Sequence, residues 1–577
     1  MKYKPSFEVF KNPLIASVIM MLAFMLCTLL LFQVKYHMPD DVGMVMRVAG
    51  ISKTVAPSEF IMNSNILVGK LLAGLYGAWP GVDWYPYFLI FMIFLSGMAI
   101  NFAVLRLRLG LLTLALCTAF MSLVMSFYIV DLSYTTTASI LGVSGAALAV
   151  SLLFKPPEAK AISSVPVISS ILLFLMSALL REKSFFLIGV LTFITVVLML
   201  GFKRDNRRIV LCGVIGISAL GIGSVFVAFD RHTYTSDTAM NEFLIQKKIK
   251  SRFIEYGQIT YSEENRHVFE ACNVSENDFM MMRYWFYDTS VENFSVEKIQ
   301  CIADGFPKRK QYVGVKELVK TTASIYKQHV PILLFVLLVG ALGSRSPPKI
   351  ALGICAFVIP GLVFSYMNIF FKPAPLRVAT PVFGFFACMV FIAHAVSTPK
   401  QDKEHGSINL AISSVVLAVI FGTVGLQINK HFKSGRAIEI RQNKLQDYTA
   451  QLNPQDDDIY LVWVGGSYPT HWASPFGDIR KQFSHYHQVG VGTSFNSPLS
   501  RAQLTRFGID NPYLDIVDNQ HANFIFTQRN VGRFFPIYKE FLRINYGLDV
   551  CFVVDKTIDK IVVGSVKTQD QCKTLHK

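Results

Sequence analysis

Long apolar runs, broken at short intervals by charged or proline-bearing stretches, set the pattern of this chain from residue 13 to residue 426. Hydrocarbon thickness asks for roughly 20 apolar residues per helical crossing, so each run predicts a membrane span. Spans are expected at about 13–34, 84–104, 109–129, 136–154, 162–180, 184–201, 209–228, 330–344, 350–367, 381–396 and 408–426, eleven in all. The first run follows Lys2, Lys4 and Lys11. It is longer than a signal-peptide core and lacks a small-residue cleavage site, so a retained helix is expected.

Two stretches depart from this pattern. Residues 229–329 carry helix-like apolar spacing at 240–256, 263–271 and 315–326 and read as a soluble helical insertion. Residues 429–577 hold short apolar strands at 459–464, 524–527, 551–554 and 561–566, with helices at 500–507 and 534–544. Gly465 and Gly466, and Gly490 and Gly492, read there as turns, because no lysine-bearing strand–loop–helix unit accompanies them. The expected fold class is an α-helical polytopic membrane protein with a helical outer insertion and a small C-terminal α/β outer domain. Its parts are an N-terminal membrane module at 1–228 with a first outer loop at 35–83, the insertion at 229–329, membrane helices at 330–428, and the outer domain at 429–577.

Composition agrees with a membrane protein. Only 16% of residues are charged and 52% are hydrophobic, against about a quarter charged in soluble domains. The net charge of +16 does not point to nucleic acid, because the basic residues sit in short loops between spans and no basic helix with interleaved aromatics is seen. Those loops hold Arg106 and Arg108; Lys155 and Lys160; Lys203, Arg204, Arg207 and Arg208; Arg345 and Lys349; Lys400 and Lys403. They share a side with the lysine-bearing N-terminus, which the positive-inside rule makes cytoplasmic. An odd number of spans then puts the C-terminal domain outside. Cysteine usage agrees: Cys272 and Cys301 in the insertion, and Cys551 and Cys572 near the C-terminus, form two even pairs suited to disulfides in an oxidising compartment.

No zinc or calcium ligand pattern, nucleophile elbow, phosphate-binding lysine loop or dinucleotide fingerprint is found. No cofactor is required by the sequence, and a divalent metal stays open. Every expected inner loop is short, which leaves no room for a nucleotide-using domain, so a substrate should arrive from the membrane or the outer side. Attention falls on the outer loops. Asp40 and Asp41 follow Pro39 just beyond the first span. One aspartate, Asp40, reads as a helix cap, and its neighbour could point into a cavity. Two adjacent carboxylates near a low-dielectric interface raise each other's pKa, which suits a base. Cations on this face run against the charge rule: Arg181 and Lys183 in a short turn, and Lys372 and Arg377 in the proline-stiffened FFKPAPLRVATP. They read either as snorkelling side chains or as a phosphate clamp.

The succession PDDVGM, NSNILVGKLLAGLYGAWPGVDWY, DLSYTTTASI, REKSFF and KPAPLRVATP, laid over residues 1–430, resembles the GT-C superfamily of integral-membrane glycosyltransferases. That resemblance implies a hexosyltransferase-class enzyme of the bacterial inner membrane that uses a polyprenyl-phosphate-linked sugar and a glycan or glycolipid acceptor at the outer face. It implies an acidic catalytic residue at Asp41 or Asp40, with Asp41 preferred, and donor-phosphate contacts from Arg181, Lys183, Lys372 and Arg377. It also implies one displacement with inversion at the sugar. The insertion at 229–329 departs from the family layout. A polysaccharide polymerase or ligase, a lipid or glycan transporter, and a non-catalytic assembly protein are the other classes to weigh. The absence of inverted repeats and of helices broken mid-membrane speaks against the transporter.

Overall fold

The computed structural model describes residues 12–51, 54–107, 110–154, 164–200, 206–254, 259–284, 291–306, 314–342, 347–370, 374–396, 406–453, 458–463, 468–483, 487–491 and 497–575. Helix α1 (Pro13–Leu31) starts where the Asn12 side chain accepts the N–H groups of Leu14 and Ile15 and Pro13 supplies the fixed φ of a first turn. There follow strand β1 (Lys35–Tyr36), α2 (Pro39–Val48), α3 (Ile66–Ala78) and α4 (Trp84–Leu105). Helices α5 (Leu111–Phe120) and α6 (Ser126–Val130) join through a π-helical turn at Met121–Met125 into one span, after which comes strand β2 (Asp131–Leu132). Helices α7 (Tyr134–Leu152), α8 (Ser164–Leu180), α9 (Glu182–Leu200) and α10 (Asn206–Ser236) complete the first helical group.

The insertion holds α11 (Thr238–Ile254), α12 (Arg266–Ala271), α13 (Glu276–Arg283), α14 (Val296–Gly305) and α15 (Val315–Gln328). Apolar sequence returns with α16 (Val330–Leu342), α17 (Pro347–Phe370) and α18 (Leu376–Ala395). Helix α19 (Gly406–Leu452) is a single rod of 47 residues, about 70 Å long at 1.5 Å per residue.

Among the described residues, eight helices are long and apolar enough to cross a membrane, or nine if α15 and α16, bent by 71° against each other, make one crossing. The chain is therefore a mostly helical, multi-pass membrane protein. Each of the eleven expected runs lies on a helix. The run at 162–180 forms the shorter α8, 17 residues long, and the run at 408–426 is the first half of α19. Helix α8 nonetheless brings the chain back to the face it left, because Tyr134 at the start of α7 and Arg181 just after α8 line the same cleft.

The C-terminal segment folds on a five-stranded sheet of order β4-β3-β5-β7-β6. Its strands are β3 (Ile459–Trp463), β4 (His487–Val491), β5 (Ala522–Thr527), β6 (Val550–Ile558) and β7 (Ile561–Thr568). Strand β3 runs parallel to β4 and β5, while β7 runs antiparallel to β5 and β6. Helices α20 (Ile479–Phe483), α21 (Pro498–Thr505) and α22 (Gln528–Tyr546) lie between the strands in sequence. Strand β4 corrects the turn expected at Gly490. The Gly-Val alternation pairs with β3, with Gly490 opposite Val462. Gly465, Gly466 and Gly492 lie outside the described residues. Cys272 is bonded to Cys301 and Cys551 to Cys572.

The insertion and the C-terminal segment do not have separate cores. Phe253, Phe269, Phe279 and Phe294 from the first share one buried cluster with Leu461, Phe524, Tyr538 and Phe541 from the second. Ring contacts cross between them at Phe294–Phe541, with centroids 5.6 Å apart. A shared core requires both segments to lie on one face of the membrane. Among the described residues between them, α17 and α18 are each long and apolar enough to cross a membrane, an even number, as this demands.

The same assembly touches the segment between α1 and α4. Arg480 donates from Nη2 to the Ala49 carbonyl at 2.9 Å and from Nε to the Pro80 carbonyl at 2.8 Å. Asp83 stands beside this contact, its carboxyl pushed up to about 6 by burial and by the nearby Asp478. Replacing Arg480 by alanine removes two charge-assisted bonds and is expected to loosen this docking by about 1–3 kcal/mol. Limited proteolysis of the purified protein should then release the C-terminal segment several-fold faster. Unchanged protection would show that the docking does not depend on these bonds.

Candidate active site

The local sequence fixes the geometry around Asp40 and Asp41. Met38, in extended conformation, occupies the N-cap of α2, and Pro39 takes the first helical position. The cap expected at Asp40 is thus corrected: both aspartates sit inside the first turn, where the helix dipole favours negative charge. Consecutive helical residues point about 100° apart. Asp40 accordingly faces a cleft, while Asp41 is wholly buried.

Strands β1 and β2 pair in parallel, with Lys35 opposite Asp131 and Tyr36 opposite Leu132. An ion pair at 2.9 Å joins Lys35 to Asp131, and the His37 N–H donates to the Leu132 carbonyl at 2.9 Å. This clip holds the start of α7 against α2. The other end of α2 closes at Gly50, whose φ of +68° a side chain would resist. The chain then folds back so that the Ser58 N–H reaches the Arg47 carbonyl at 3.0 Å.

Asp41 Oδ1 accepts two bonds, from the Tyr85 hydroxyl at 3.0 Å and from the Tyr134 N–H at 3.0 Å. Its Oδ2 is buried without a hydrogen-bond partner. Burial pushes the Asp41 carboxyl up from 3.8 to about 6, against the pull of the Tyr134 and Tyr85 bonds; the Ser133 hydroxyl adds to that pull from nearby without closing a bond of good geometry. A buried, half-satisfied carboxylate that titrates near neutrality is the profile of a proton acceptor. Two turns further along α2, on the face of Asp40, Arg47 is also buried, and burial pulls its guanidinium below the usual range.

The cleft has a volume of about 820 Å³. Asp40, Tyr134, Arg181, Lys183 and Arg377 line it, together with Arg231 from the end of α10 and Lys247 and Lys248 from α11. It thus gathers three of the four cations expected to meet a donor phosphate. The fourth, Lys372, lies outside the described residues. Tyr134 links the acidic and basic walls: its backbone N–H holds Asp41, and its hydroxyl accepts a bond from Arg181 Nη1. The Arg181 guanidinium also lies 5.1 Å from the Tyr134 ring centre.

Asp41 does not line the cleft but sits one layer behind it, next to Tyr134. Sequence reasoning missed Tyr134, Arg231, Lys247 and Lys248. Tyr134 follows directly on the helix cap Ser133 within DLSY, and the two lysines recur at helical spacing with Leu244 and Ser251, which were the available signals. Among the described residues no three histidine, cysteine, aspartate or glutamate side chains stand together closely enough to hold a metal ion.

No protein-family model matches the chain, and no curated protein matches it in sequence. Among solved structures, ArnT from Cupriavidus metallidurans bound to undecaprenyl phosphate is 10% identical, with a TM-score of 0.39 over 95% of this chain and 97% of that one. An oligosaccharyltransferase from Archaeoglobus fulgidus in the apo form is 10% identical, with a TM-score of 0.44 over 93% of this chain and 71% of that one. Likeness at this level assigns no chemistry, which rests on the residues of the cleft.

Proposed function

We propose that this protein is a membrane glycosyltransferase that moves a sugar, of the hexose class, from a polyprenyl-phosphate carrier to a glycan or glycolipid acceptor. One observation carries the reading: Tyr134 bonds both Asp41, whose buried carboxyl is pushed up to about 6 just behind the cleft, and Arg181 in the cluster of cations that lines it. The GT-C resemblance of the sequence supports the same chemistry. The cleft then faces the outer side of a bacterial inner membrane, with the N-terminus inside.

The acceptor hydroxyl enters between Asp40 and Tyr134, which line the cleft, and its proton passes by way of a water to Oδ2 of Asp41, one layer behind them. The acceptor oxygen forms its bond to the anomeric carbon as the bond from that carbon to the carrier phosphate breaks. The electron pair leaves on the phosphate, where Arg181 and Arg377 meet the growing charge, a contribution that is often the largest in such sites. Arginine suits this role through its planar fork of donors. One displacement inverts the anomeric configuration.

The test is carrier release. Purified protein is given a panel of undecaprenyl-phosphate sugars together with total membrane glycolipid, and free undecaprenyl phosphate is measured alongside the configuration of the product. Release with an inverted product is expected. Retention would rule out a single displacement, and no release from any monosaccharide donor would remove the transferase reading in this form. The second reading is a polymerase or ligase taking a lipid-linked oligosaccharide. Release from oligosaccharide donors alone would select it.

A further inference from the structure

Four consecutive residues between α2 and α3, Met62, Asn63, Ser64 and Asn65, line the cleft and carry no charge. Their backbone is fastened from two helices. The Met62 N–H donates to the Tyr234 hydroxyl at 3.0 Å and the Ile66 N–H to Asp230 Oδ1 at 2.7 Å, both on α10. The Asn65 N–H donates to the Leu179 carbonyl of α8 at 2.8 Å. Under these ties Met62 is held at a φ of +66°, in the left-handed region that a long side chain seldom enters. Such a conformation persists only where the surroundings impose it, and it clusters at ligand-binding sites. The stretch is a stiff edge of the cleft.

Its side chains are not equally engaged. Asn65 is committed to the fold: Oδ1 accepts the Leu67 N–H at 3.0 Å and Nδ2 donates to the Phe226 carbonyl at 2.9 Å. Ser64 is only 7% exposed, and its hydroxyl has no hydrogen-bond partner among the described residues. A buried hydroxyl in that state has given up its hydration and gained no bond in return, which a ligand can supply. Serine has a single side-chain torsion to set, so little motion separates this hydroxyl from a group in the cleft that its residue lines.

The chemistry of the edge selects its ligand. A serine hydroxyl and an asparagine amide each donate and accept, and so match a sugar hydroxyl, whereas phosphate and carboxylate oxygens only accept. In the proposed reaction the phosphate meets Arg181 and Arg377, and the acceptor enters between Asp40 and Tyr134. The transferred sugar lies between these two ends, and Asn63 and Ser64 are uncharged polar lining that neither end uses. We infer that Asn63 and Ser64 form the sugar subsite of the cleft, in which the Ser64 hydroxyl bonds a hydroxyl of the transferred sugar. The inference rests on the glycosyltransferase reading for what occupies the cleft.

The experiment uses the full chain in detergent micelles as wild type, Ser64→Ala and Asn63→Ala. Each is titrated by calorimetry with undecaprenyl phosphate, with its glucose, galactose, mannose and N-acetylglucosamine esters, and with monodeoxy analogues of the ester that binds tightest. Melting temperatures are taken without ligand. Ser64→Ala is expected to melt at or above the wild-type temperature, since it removes a buried hydroxyl that bonds nothing, and to bind undecaprenyl phosphate within about twofold of wild type. Its affinity for the best ester should fall about tenfold, as the loss of one hydrogen bond implies. Wild type should lose a like factor with one monodeoxy analogue, which Ser64→Ala binds no more weakly than wild type does, the mark of a broken pair. Equal affinities of the two proteins for every ester would overturn the inference. A lower melting temperature with equal losses for all titrants would make Ser64 structural and overturn it too, as would the same tenfold loss repeated for every deoxy analogue. Asn63→Ala carries the same cycle should Ser64→Ala not fold. Wild-type protein that ignores the carrier and its esters, yet binds a methyl glycoside of one of these sugars in a Ser64-dependent way, would remove the transferase reading and leave the sugar subsite standing. Binding of none of these ligands would remove both.

Discussion

Replacing Asp41 by asparagine is expected to slow sugar transfer by a factor of about 10²–10⁴ without lowering the stability of the protein at pH 8. The two halves of this result separate a catalytic base from a structural carboxylate. Asparagine keeps an oxygen for the Tyr85 hydroxyl and the Tyr134 N–H, which both reach Oδ1 at 3.0 Å. It loses the capacity to take a proton. Because burial raises this carboxyl from 3.8 to about 6, the folded state prefers the protonated form. The stability that this preference gives is complete below pH about 4 and is lost as the pH rises through about 6. At pH 8 the wild type therefore carries a charge that costs the fold about 3 kcal/mol. The variant escapes that cost, less about 1–3 kcal/mol for an amide N–H₂ left where Oδ2 has no partner. Its apparent melting temperature should equal or exceed that of wild type at pH 8, and any advantage should vanish near pH 4. In the wild type, kcat/KM should rise with pH and level off above about 6. A variant that is inactive and also strongly destabilised at pH 8 would make Asp41 a structural residue. Asp40→Asn, made in parallel, tests the neighbour that lines the cleft.

Arg181→Gln is the second change expected to act strongly, lowering kcat by about 10²–10³ through loss of charge stabilisation on the departing phosphate. Arg181 follows α8, reaches Tyr134 by both a hydrogen bond and a ring contact, and lines the cleft. Arg181→Lys keeps the charge but not the fork or the stacking, and should recover only part of the activity. The informative readout is the split between parameters: kcat should fall more than the affinity for the carrier lipid, because the charge to be met grows as the bond breaks. If Arg181→Gln leaves kcat within about threefold, the leaving group is stabilised elsewhere, and Arg377 becomes the first candidate.

Much of this arrangement can be read from the chain, because the signals are local. An apolar run of span length needs no partner to be recognised, so the membrane helices stand out from residue 13 onward. Cations placed against the charge rule at Arg181, Lys183 and Arg377 come together in one cleft. What stays hidden depends on geometry that sequence spacing does not carry. Asp40 and Asp41 look equivalent until Pro39 is known to begin the helix and Met38 to cap it, after which their side chains diverge. Strand β4 hides behind a Gly-Val alternation that also suits a turn, and only pairing with β3 decides the matter. The lysine spacing on α11 is visible, but which face of that helix meets the cleft is set by the burial of Met240, Phe243, Ile249 and Phe253. The common core of the insertion and the C-terminal sheet leaves no local trace, since its halves are far apart in sequence.

That common core constrains how the protein can be made. Synthesis delivers Phe253, Phe269 and Phe279 well before the strands that cover them, Ile459–Trp463 and Ala522–Thr527, with the apolar helices α16 to α18 and the long α19 in between. Throughout that interval the insertion stands outside the bilayer with half of its apolar interior uncovered. Native contacts between partners so distant in sequence form late, and the waiting surface is exposed to aggregation. The Cys272–Cys301 bridge lies wholly within the early half and can close before the late half exists. A ribosome stalled after α18 would thus leave a tethered half-domain with its aromatic side bare, a natural client for chaperones and proteases of that compartment.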